Sequence, residues 1–503
     1  MLNSVISQAL SWVYPLFLLL VIVTSAGFLA YCAYVKYIHM KYDHIPGPPR
    51  DSFLLGHIPS INKAMENYKV VHDLFLQWSE KYGPVYRINI LHRVTINSTS
   101  PEAVKEYLMS PNCPKDPYVY SRLFYLFGKR FLGKGLLTDQ DNDHWYKQRR
   151  IMDPAFSHTY LRQMFGVFNE TAEKLMEQLE KIADGKQEVS LQKMINSVTL
   201  DVITQVAFGM DLGLVEGNRT AFPNAISTVL KGMTHYLQDP FMQYLPKNWA
   251  FVQEVQNSAE LLRKTGRECI RQRKQAMLNG EEIPKDILTK ILESAEQENG
   301  LDDEIMLDNF ITFFIAGQET TSNQLSFTVM ELTRQPEITQ RLRDEINDVI
   351  GFKRDISFDD ITNLQYMTQV LKESLRFYPP GPGTSRYIQE DAVIEGIRIP
   401  GGVSILFNTY IMGRMEKFFP DPFKFDPERF HPSAPRPYFC YFPFALGPRS
   451  CLGQVFSQLE AKVVLSKLLQ RFEFHLVPGQ SYEIMDTGTL RPRDGVVCTL
   501  TPR

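Results

Sequence analysis

The chain has 503 residues, 44% of them hydrophobic and 22% charged, and its formal net charge is −3. This length allows one large domain or two to three ordinary ones, and a slightly acidic chain without a dense basic stripe argues against nucleic acid as a partner. Its 6 cysteines are widely spread and form no Cys-x-x-Cys pair, so neither a disulfide framework nor a zinc site is indicated.

The N-terminal segment, residues 1–35, contains no charged side chain. A helix over residues 13–35 would be about 34 Å long at about 1.5 Å per residue, enough to cross a bilayer core. We interpret 1–35 as a transmembrane anchor, because the alternative, a cleaved secretory signal, would have a shorter apolar region after a basic start. Since Lys36, Lys41 and Arg50 follow the span, the positive-inside tendency predicts a single-pass protein whose remaining chain is cytosolic.

Residues 36–50 are predicted to be a basic, proline-rich linker, because the prolines at 46, 48 and 49 fix φ and disfavour a helix. We therefore place one folded domain at residues 51–503. Helical patterns dominate it, and after Pro379 the chain becomes proline-rich and irregular. The predicted elements are strands at 85–90, 94–97 and 392–399, helices at 161–184, 191–208, 251–278 and 301–334, and a final helix that ends near residue 471.

Near the C-terminus, residues 444–453 read Phe-Ala-Leu-Gly-Pro-Arg-Ser-Cys-Leu-Gly, which places Cys451 at the start of the final helix. N–H groups at a helix start favour a thiolate, and glycines in this loop let the backbone approach a flat cofactor. Phe444 can exclude water, and Arg449 can reach an acidic group of the cofactor. A lone cysteine is usually a buried structural residue, but five fixed positions within ten residues indicate a thiolate that ligates haem iron.

The middle of the helix predicted at 301–334 reads Ala-Gly-Gln-Glu-Thr-Thr from residue 316. Gly317 should have a reason, since glycine in a helix interior costs about 1 kcal/mol relative to alanine. A missing side chain leaves space for dioxygen above the iron, and Thr320 with Glu319 can hold waters that deliver protons. The alternative is a glycine that allows close helix packing and a threonine hydrogen-bonded to its own helix.

These two motifs resemble those of the cytochrome P-450 superfamily of haem-thiolate monooxygenases, and the similarity extends over essentially residues 45–503. The resemblance implies a mainly α fold, with a large helical domain and a small β-sheet region. It implies haem b, iron protoporphyrin IX, as cofactor, with Cys451 as the axial ligand of the iron. It also implies that Thr320 and Glu319 are the catalytic pair.

Two further motifs occur in the family's order. In Glu-x-x-Arg, Glu373 and Arg376 lie three apart on one helix face, and alone this is a weak signal. By resemblance they form a buried structural triad with Arg429 that positions the cysteine loop. Trp145 and Arg149 match a haem-binding helix, although Trp145 in isolation is as readily a core aromatic. The resemblance thus implies these cofactor-binding residues: Cys451, Arg449, Trp145, Arg149, Arg386, Phe444 and Gly317.

The amino-acid sequence is similar to that of sterol side-chain hydroxylases of this superfamily at residues 44–50, 309–317, 329–332 and 441–444. This finer resemblance implies an endoplasmic reticulum enzyme that hydroxylates cholesterol at C-24. It would use O2 and electrons from NADPH supplied through cytochrome P-450 reductase. The substrate pocket implied by it comprises Leu123, Phe124, Phe127, Ile315, Ala316, Gly381 and Thr489.

One departure concerns substrate. Residues 381–383 read Gly-Pro-Gly where the resemblance predicts an aromatic residue, which can enlarge or reshape the cavity. A broader fatty-acid or xenobiotic hydroxylase is therefore the alternative within the superfamily. A peroxide-consuming isomerase or dehydratase is disfavoured by Thr320 and Glu319. A haem sensor or carrier without turnover is the alternative from another class.

Overall fold

The computed structural model describes residues 2–66, 69–239, 241–298, 300–435 and 438–503. Helices dominate these residues, which confirms the mainly α prediction. The α-helices are α1 (Leu2–Tyr42), α2 (Ile58–Met65), α3 (Val71–Tyr82), α4 (Pro101–Met109), α5 (Pro117–Phe124), α6 (Asn142–Met152), α7 (His158–Gln163), α8 (Phe165–Glu180), α9 (Leu191–Phe208), α10 (Phe222–Gln238), α11 (Trp249–Asn279), α12 (Ile287–Gln297), α13 (Asp303–Leu332), α14 (Pro336–Val349), α15 (Phe358–Asn363), α16 (Gln365–Phe377), α17 (Thr409–Met412) and α18 (Gln454–Arg471).

The strands are short. They are β1 (Val85–Ile90), β2 (Arg93–Ser98), β3 (Tyr125–Leu126), β4 (Lys129–Arg130), β5 (Val189–Ser190), β6 (Gly383–Ile388), β7 (Ala392–Ile394), β8 (Ile397–Ile399), β9 (Val403–Asn408), β10 (Phe472–Leu476), β11 (Ile484–Asp486), β12 (Leu490–Pro492) and β13 (Val497–Pro502). One sheet has the order β1-β2-β9-β6, in which only the β2–β9 pair is parallel, with Ile96 opposite Ile405. A second sheet has the order β10-β13-β5. Three further pairs are antiparallel hairpins: β3–β4, β7–β8 and β11–β12.

Several predicted elements agree closely with the structure. The predicted strand at 85–90 is β1, and the predicted helix at 191–208 is α9. Two predictions were too simple. The segment 161–184 is divided between α7 and α8, which meet at Met164. The segment 392–399 is the β7–β8 hairpin, because Glu395 and Gly396 have φ values of 51° and 75° that reverse the chain.

The long helix α13 lies in the protein interior, in contact with α9, α11, α16 and α18. Most of its side chains are buried, including polar ones. The carboxylate of Asp308 is fully buried and accepts hydrogen bonds from Arg130 Nη2 at 2.6 Å and Arg263 Nη1 at 2.8 Å. A helix enclosed on all sides by other elements has little freedom to move, so α13 can present its central residues at defined positions.

Among the described residues, one helix is long and apolar enough to cross a membrane by length and composition: Tyr14–Tyr42, with 29 residues and a mean hydropathy of 2.3. This helix continues through residues 36–42, which the sequence analysis assigned to a linker. Val35, His39 and Tyr42 are buried against the domain, and Lys41 Nζ donates to the Gly401 carbonyl at 3.0 Å. Their i, i+4, i+7 spacing places them on one helix face, so the end of the anchor helix packs on the domain.

We expect two N-terminal deletions to behave differently. Removing residues 1–28 leaves the packed turns of α1 in place, so the melting temperature should stay unchanged. Removing residues 1–44 also deletes Val35 and Tyr42, and each buried apolar side chain is worth about 1.5–3 kcal/mol. The longer deletion should therefore lower the melting temperature, measured by thermal unfolding in detergent. Equal melting temperatures would show that this contact adds nothing to stability.

Candidate functional site

A cavity of about 340 Å³ lies between α13 and the loop that precedes α18. It brings together motifs that are far apart in the sequence. The predicted residues on its wall are Trp145, Arg149, Ala316, Gly317, Thr320, Gly381, Phe444, Arg449 and Cys451. Side chains from four separate segments therefore face one enclosed space, as expected of a ligand site.

The loop that carries Cys451 is held in shape by its backbone. The Cys451 N–H donates to the Phe444 carbonyl at 2.8 Å, and residues Gly447–Arg449 form a short 3-10 turn. Gly447 has a φ of 68°, and a Cβ at that position would lie 2.2 Å from the Leu108 carbonyl oxygen. Only glycine fits there, since both the backbone angle and the space exclude a side chain. The loop therefore presents the Cys451 thiol to the cavity.

The electrostatics of Cys451 suit a metal ligand better than a free thiolate. Burial raises the pKa of the Cys451 thiol, whereas a hydrogen bond from the Gly453 N–H and the charge of Arg149 act in the opposite direction. The Gly453 N–H lies just before the first turn of α18, as predicted for a cysteine at a helix start. A metal ion at the sulfur would supply the positive charge that full deprotonation requires.

Arg149 and Arg449 both make protein contacts at the cavity wall. Arg149 Nη1 donates to the Ser450 carbonyl at 2.7 Å, directly beside Cys451. Arg449 lies 4.0 Å above the Trp145 ring centroid, and its Nη1 donates to the Asp139 carbonyl at 2.8 Å. Burial and the nearby charge of Arg386 lower the pKa of Arg449 to about 10. These contacts connect α6 to the cysteine loop.

Two more basic side chains lie at this site. Lys115, in the segment before α5, lines the cavity, whereas Arg386 on β6 does not line it but influences the pKa values of Tyr120 and Arg449, which do. Arg386 is buried, and its Nε and Nη2 atoms have no hydrogen-bond partner. Lys115 is also buried, and its Nζ donates to the Tyr120 hydroxyl at 3.2 Å. Burial would raise the pKa of Tyr120, but the charge of Lys115, a hydrogen bond from Thr384 and the charge of Arg386 lower it to about 8. Tyr120 lies in the segment 118–127 that was predicted to line the pocket, whereas Lys115 was not predicted, since a lysine is ordinarily exposed and no motif includes it.

These residues fit a haem group. Unpaired buried donors on Arg386 are costly unless they meet an acceptor, and with Lys115 they offer the charge that carboxylates such as haem propionates require. The thiol of Cys451 provides a ligand for iron. Leu375, Phe442 and Phe456 supply apolar wall for a macrocycle. The Cys451 thiol, the Lys115 ammonium and apolar surface are thus present in one cavity, and Arg386 lies beside it.

Gly317 lies where α13 crosses α9. A Cβ at Gly317 would be 2.7 Å from Ile203 Cδ1, so close packing by itself accounts for the glycine. Thr320 Oγ1 donates to the Ala316 carbonyl at 2.8 Å, a bond to its own helix. Close helix packing at Gly317 and a hydrogen bond from Thr320 to its own helix are the two alternative explanations that the sequence offered. Both residues nevertheless line the cavity, so the packing role does not remove them from the site.

We expect Gly317→Ala to destabilise the protein through Ile203. Overpacking by one methyl group typically costs about 1–3 kcal/mol. The double variant Gly317→Ala, Ile203→Ala should recover part of this loss because it removes the clashing atoms. Urea unfolding of the two variants and of Ile203→Ala alone measures the coupling. If the loss of unfolding free energy in the double variant equalled the sum of the losses in the two single variants, the proposed clash would be contradicted.

Thr320→Val replaces the hydroxyl by a methyl group of similar size. If the hydroxyl steadies a water that delivers protons, product formed per NADPH should fall several-fold and more hydrogen peroxide should be released. Thr320→Ser, which keeps the hydroxyl, is the matched control and should behave like the wild type. The ratio of product to peroxide measures this effect. An unchanged ratio in the valine variant would mean that Thr320 only packs.

Glu319 does not lie on the cavity wall but faces the β11–β12 hairpin. Its side chain is partly buried, and its Oε2, which is shielded from solvent, has no hydrogen-bond partner. Burial raises the pKa of Glu319 to about 7, although a hydrogen bond from Thr489 and the charge of Arg491 partly offset this increase. A carboxyl group that titrates near neutral pH is suited to proton transfer.

Glu373 and Arg376 form a fully buried ion pair on α16. Arg376 Nε donates to Glu373 Oε2 and Nη2 donates to Oε1, both at 2.7 Å. Arg429 Nε lies 3.5 Å from Glu373 Oε1, and the Asp426 N–H donates to the same oxygen at 2.8 Å. Arg376 also donates to the carbonyls of Gly413, Pro422 and Lys424. The structure thus brings the three predicted residues together. Their contacts connect α16 to the segment that leads to the cysteine loop.

Of the predicted substrate residues, Ala316 and Gly381 line the cavity, whereas Leu123, Phe124, Phe127, Ile315 and Thr489 do not. A substrate role for these five residues stays a prediction. Leu123 and Phe127 are buried in the main hydrophobic core, where the Phe127 ring lies 5.1 Å from Tyr236. Ile315 packs against the same core, Phe124 lies 4.5 Å from Tyr125, and Thr489 accepts from Asn323. Apolar lining comes instead from Leu136, Leu137, Phe156, Phe313 and Pro380.

Comparison with known proteins agrees with this site. The family model described as Cytochrome P450 matches residues 46–499. The chain therefore belongs to the cytochrome P450 family, as the motifs predicted. It is a haem-thiolate monooxygenase by family, and electrons come to such enzymes from a redox partner.

Relatives cover most of the chain. Cytochrome P450 4d2 of Drosophila melanogaster is 30% identical over 91% of this chain and 94% of its own length. Cytochrome P450 4F12 of Homo sapiens is 29% identical over 88% and 87%, and Cytochrome P450 3A41 of Mus musculus is 25% identical over 92% of both chains. None of these three names includes a sterol.

Proposed function

We propose that the protein hydroxylates a long apolar lipid, with fatty acids as the first substrate class. The observation that carries this proposal is the open wall at Gly381. A Cβ at Gly381 would meet no heavy atom within 4 Å, so the loop leaves room where an aromatic residue was predicted. A wide apolar wall restricts substrate shape less than a filled one. The relatives support the proposal, since the names reported above do not indicate a sterol enzyme.

In this proposal each side chain has a defined task. When bound, haem b supplies the activation of dioxygen and the transfer of oxygen to a C–H bond, which side chains alone do not perform. Cys451 Sγ would hold the iron, and Arg386 with Lys115 would bind the acidic edge of the group. Phe156 and Phe313 would orient the substrate and exclude water. Thr320 and Glu319 would hold and transfer protons.

The remaining predicted residues hold these groups in place. Trp145 and Arg449 would form one side of the haem edge, and Arg149 would brace the cysteine loop through the Ser450 carbonyl. Phe444 would shield the thiolate from water. The triad of Glu373, Arg376 and Arg429 would position the segment that precedes the loop. None of the triad lies on the cavity wall.

The proposed location is the endoplasmic reticulum membrane. The apolar helix α1 would be the single-pass anchor in the lipid bilayer, with residues 51–503 in the cytosol. Cytochrome P-450 reductase, using NADPH, would be the redox partner there. A bilayer next to the domain also holds the apolar substrates that the cavity would take.

A second candidate is hydroxylation of the cholesterol side chain at C-24. The similarity of residues 44–50, 309–317, 329–332 and 441–444 to cholesterol 24-hydroxylase favours it. A sterol has one polar end, which would remain far from Cys451 while the side chain approaches the site. The apolar lining of the cavity suits both candidates.

One experiment distinguishes these possibilities. The purified protein is incubated with reductase, NADPH and, in separate reactions, fatty acids, cholesterol and a drug-like amine, and the products are identified by mass spectrometry. We expect hydroxylated fatty acids. Conversion of cholesterol alone, at C-24, would favour the second candidate. Binding of all compounds without substrate-dependent NADPH consumption would indicate a haem sensor or carrier.

A further inference from the structure

A row of polar side chains leads from α9 across α13 to the β11–β12 hairpin, and its two members nearest α9 are buried. Gln192 Nε2 donates to Asn323 Oδ1 at 3.1 Å, and Asn323 Nδ2 donates to Thr489 Oγ1 at 3.0 Å. Gln192 and Asn323 are 5% and 1% exposed. Glu319 lies one turn before Asn323 on the same face of α13, which places it beside Thr489, and Thr489 hydrogen-bonds to it. Since buried polar groups are costly unless paired, this row requires an explanation beyond packing.

The donors in this row all point the same way. Thr489 Oγ1 accepts the Asn323 N–H, which leaves its own proton free to donate to another group. Glu319, when ionised, can only accept, so it is the natural end of the row. Hydrogen bonds aligned in one direction polarise one another and strengthen the last bond. The row therefore favours the ionised form of a carboxyl group that burial alone would keep neutral.

The ends of the row are held by backbone contacts. The Gln192 N–H donates to the Gly495 carbonyl at 3.2 Å, and the Leu490 N–H, next to Thr489, donates to the Pro380 carbonyl at 2.9 Å. Pro380 lines the cavity. The hairpin that carries Thr489 is thus anchored to the same loop that forms the substrate wall, which keeps its hydroxyl at a constant distance from α13.

We infer that Thr489, supported by Asn323 and Gln192, is a positioning residue that orients the carboxyl group of Glu319 for proton transfer. Thr489 donates to the carboxylate after Glu319 has released its proton, and the unpartnered Oε2 remains free to bind the next proton. Thr489 acts through Glu319 and not on the substrate, in contrast to its predicted place in the pocket. The inference rests on the proposed role of Glu319 as a proton donor.

The charged group that faces Glu319 from the hairpin is Arg491. Asp486 is on the paired strand β11, opposite Leu490, and burial raises the pKa of Asp486. Neither of these groups can replace the Thr489 hydroxyl as a hydrogen-bond donor to Glu319. Arg491 acts on Glu319 through its charge and not through a hydrogen bond. An ionised Asp486 can only accept hydrogen bonds. A change at Thr489 should therefore be visible in Glu319 itself.

The test compares Thr489→Val, which keeps the shape and removes the hydroxyl, with Thr489→Ser, which keeps the hydroxyl. Infrared spectra of the haem-loaded protein over a pH series follow the Glu319 carboxyl band, identified by its loss in Glu319→Gln. Loss of a hydrogen bond to a charged group should raise the pKa of Glu319 by about one unit or more in the valine variant. The serine variant should titrate like the wild type. This measurement needs no substrate and no turnover.

The second readout is coupling with reductase and NADPH. We expect Thr489→Val to release several-fold more hydrogen peroxide per NADPH, with haem content unchanged, and Thr489→Ser to restore the wild-type ratio. Asn323→Leu should shift both readouts in the same direction and serves if the valine variant does not fold. An unshifted Glu319 band in both Thr489→Val and Asn323→Leu would overturn the inference, as would equal effects of valine and serine. A shifted band in a protein that hydroxylates nothing would instead count against the proposed function alone.

Discussion

Cys451→Ser is expected to abolish the red-shifted carbon monoxide band of the reduced protein together with all hydroxylation. Serine has nearly the same volume, but its hydroxyl remains protonated where the thiol is deprotonated by a bound metal. The backbone of the loop should persist, because the bond from the Cys451 N–H to Phe444 does not involve the sulfur. Difference spectra with carbon monoxide measure this directly.

The matched control is Cys269→Ser. Cys269 is half-buried on α11, outside the cavity lining, and its Sγ contacts the Phe208 carbonyl, to which a serine can also donate. This variant should keep the band and the activity. A normal band in Cys451→Ser would show that another residue holds the iron.

Glu373→Ala is expected to prevent formation of a stable haem protein. It leaves Arg376 buried without its carboxylate, and breaking a buried pair in this way costs about 3–5 kcal/mol. Arg376 also donates to the carbonyls of Gly413 and Pro422, so its displacement should disturb the segment before the cysteine loop. Haem content after expression and urea unfolding of any soluble product measure the loss.

Two further variants control for the meaning of that loss. Glu268 and Arg271 form an ion pair with the same i, i+3 spacing on the exposed face of α11. Glu268→Ala should leave stability and haem content unchanged, because solvent screens the pair. The double variant Glu373→Leu, Arg376→Met removes both charges and should be less damaging than Glu373→Ala. Full haem content in Glu373→Ala would show that the triad is dispensable.

The motifs around Cys451 and Thr320 could be predicted because they are local. A cysteine before a helix, a glycine at a tight turn and an acid beside a threonine each have a physical reason that lies within about ten residues. The elements α9 and β1 could be predicted for the same reason, since an apolar period needs no knowledge of the neighbouring chain.

Other features depend on partners that are distant in sequence. Lys115 could not be found, because its burial and its hydrogen bond to Tyr120 exist only in the folded chain. Phe127 stays a predicted substrate residue, and the structure adds that its ring contacts Tyr236 on α10, a contact that the sequence around Phe127 does not predict. The helical end of α1 was taken as a linker, although the spacing of Val35, His39 and Tyr42 contained the signal.

The amino-acid sequence by itself determined the family, the glycine-containing loop around Cys451, the apolar N-terminal helix and the mainly helical class, because these depend on composition, period and local spacing. Only the tertiary structure decided which side chains share the cavity and which way Glu319 faces. Burial sets the pKa of Glu319, and burial is a property of the packed chain. The same holds for Gly317, whose tolerance for a methyl group depends on the position of Ile203 on another helix.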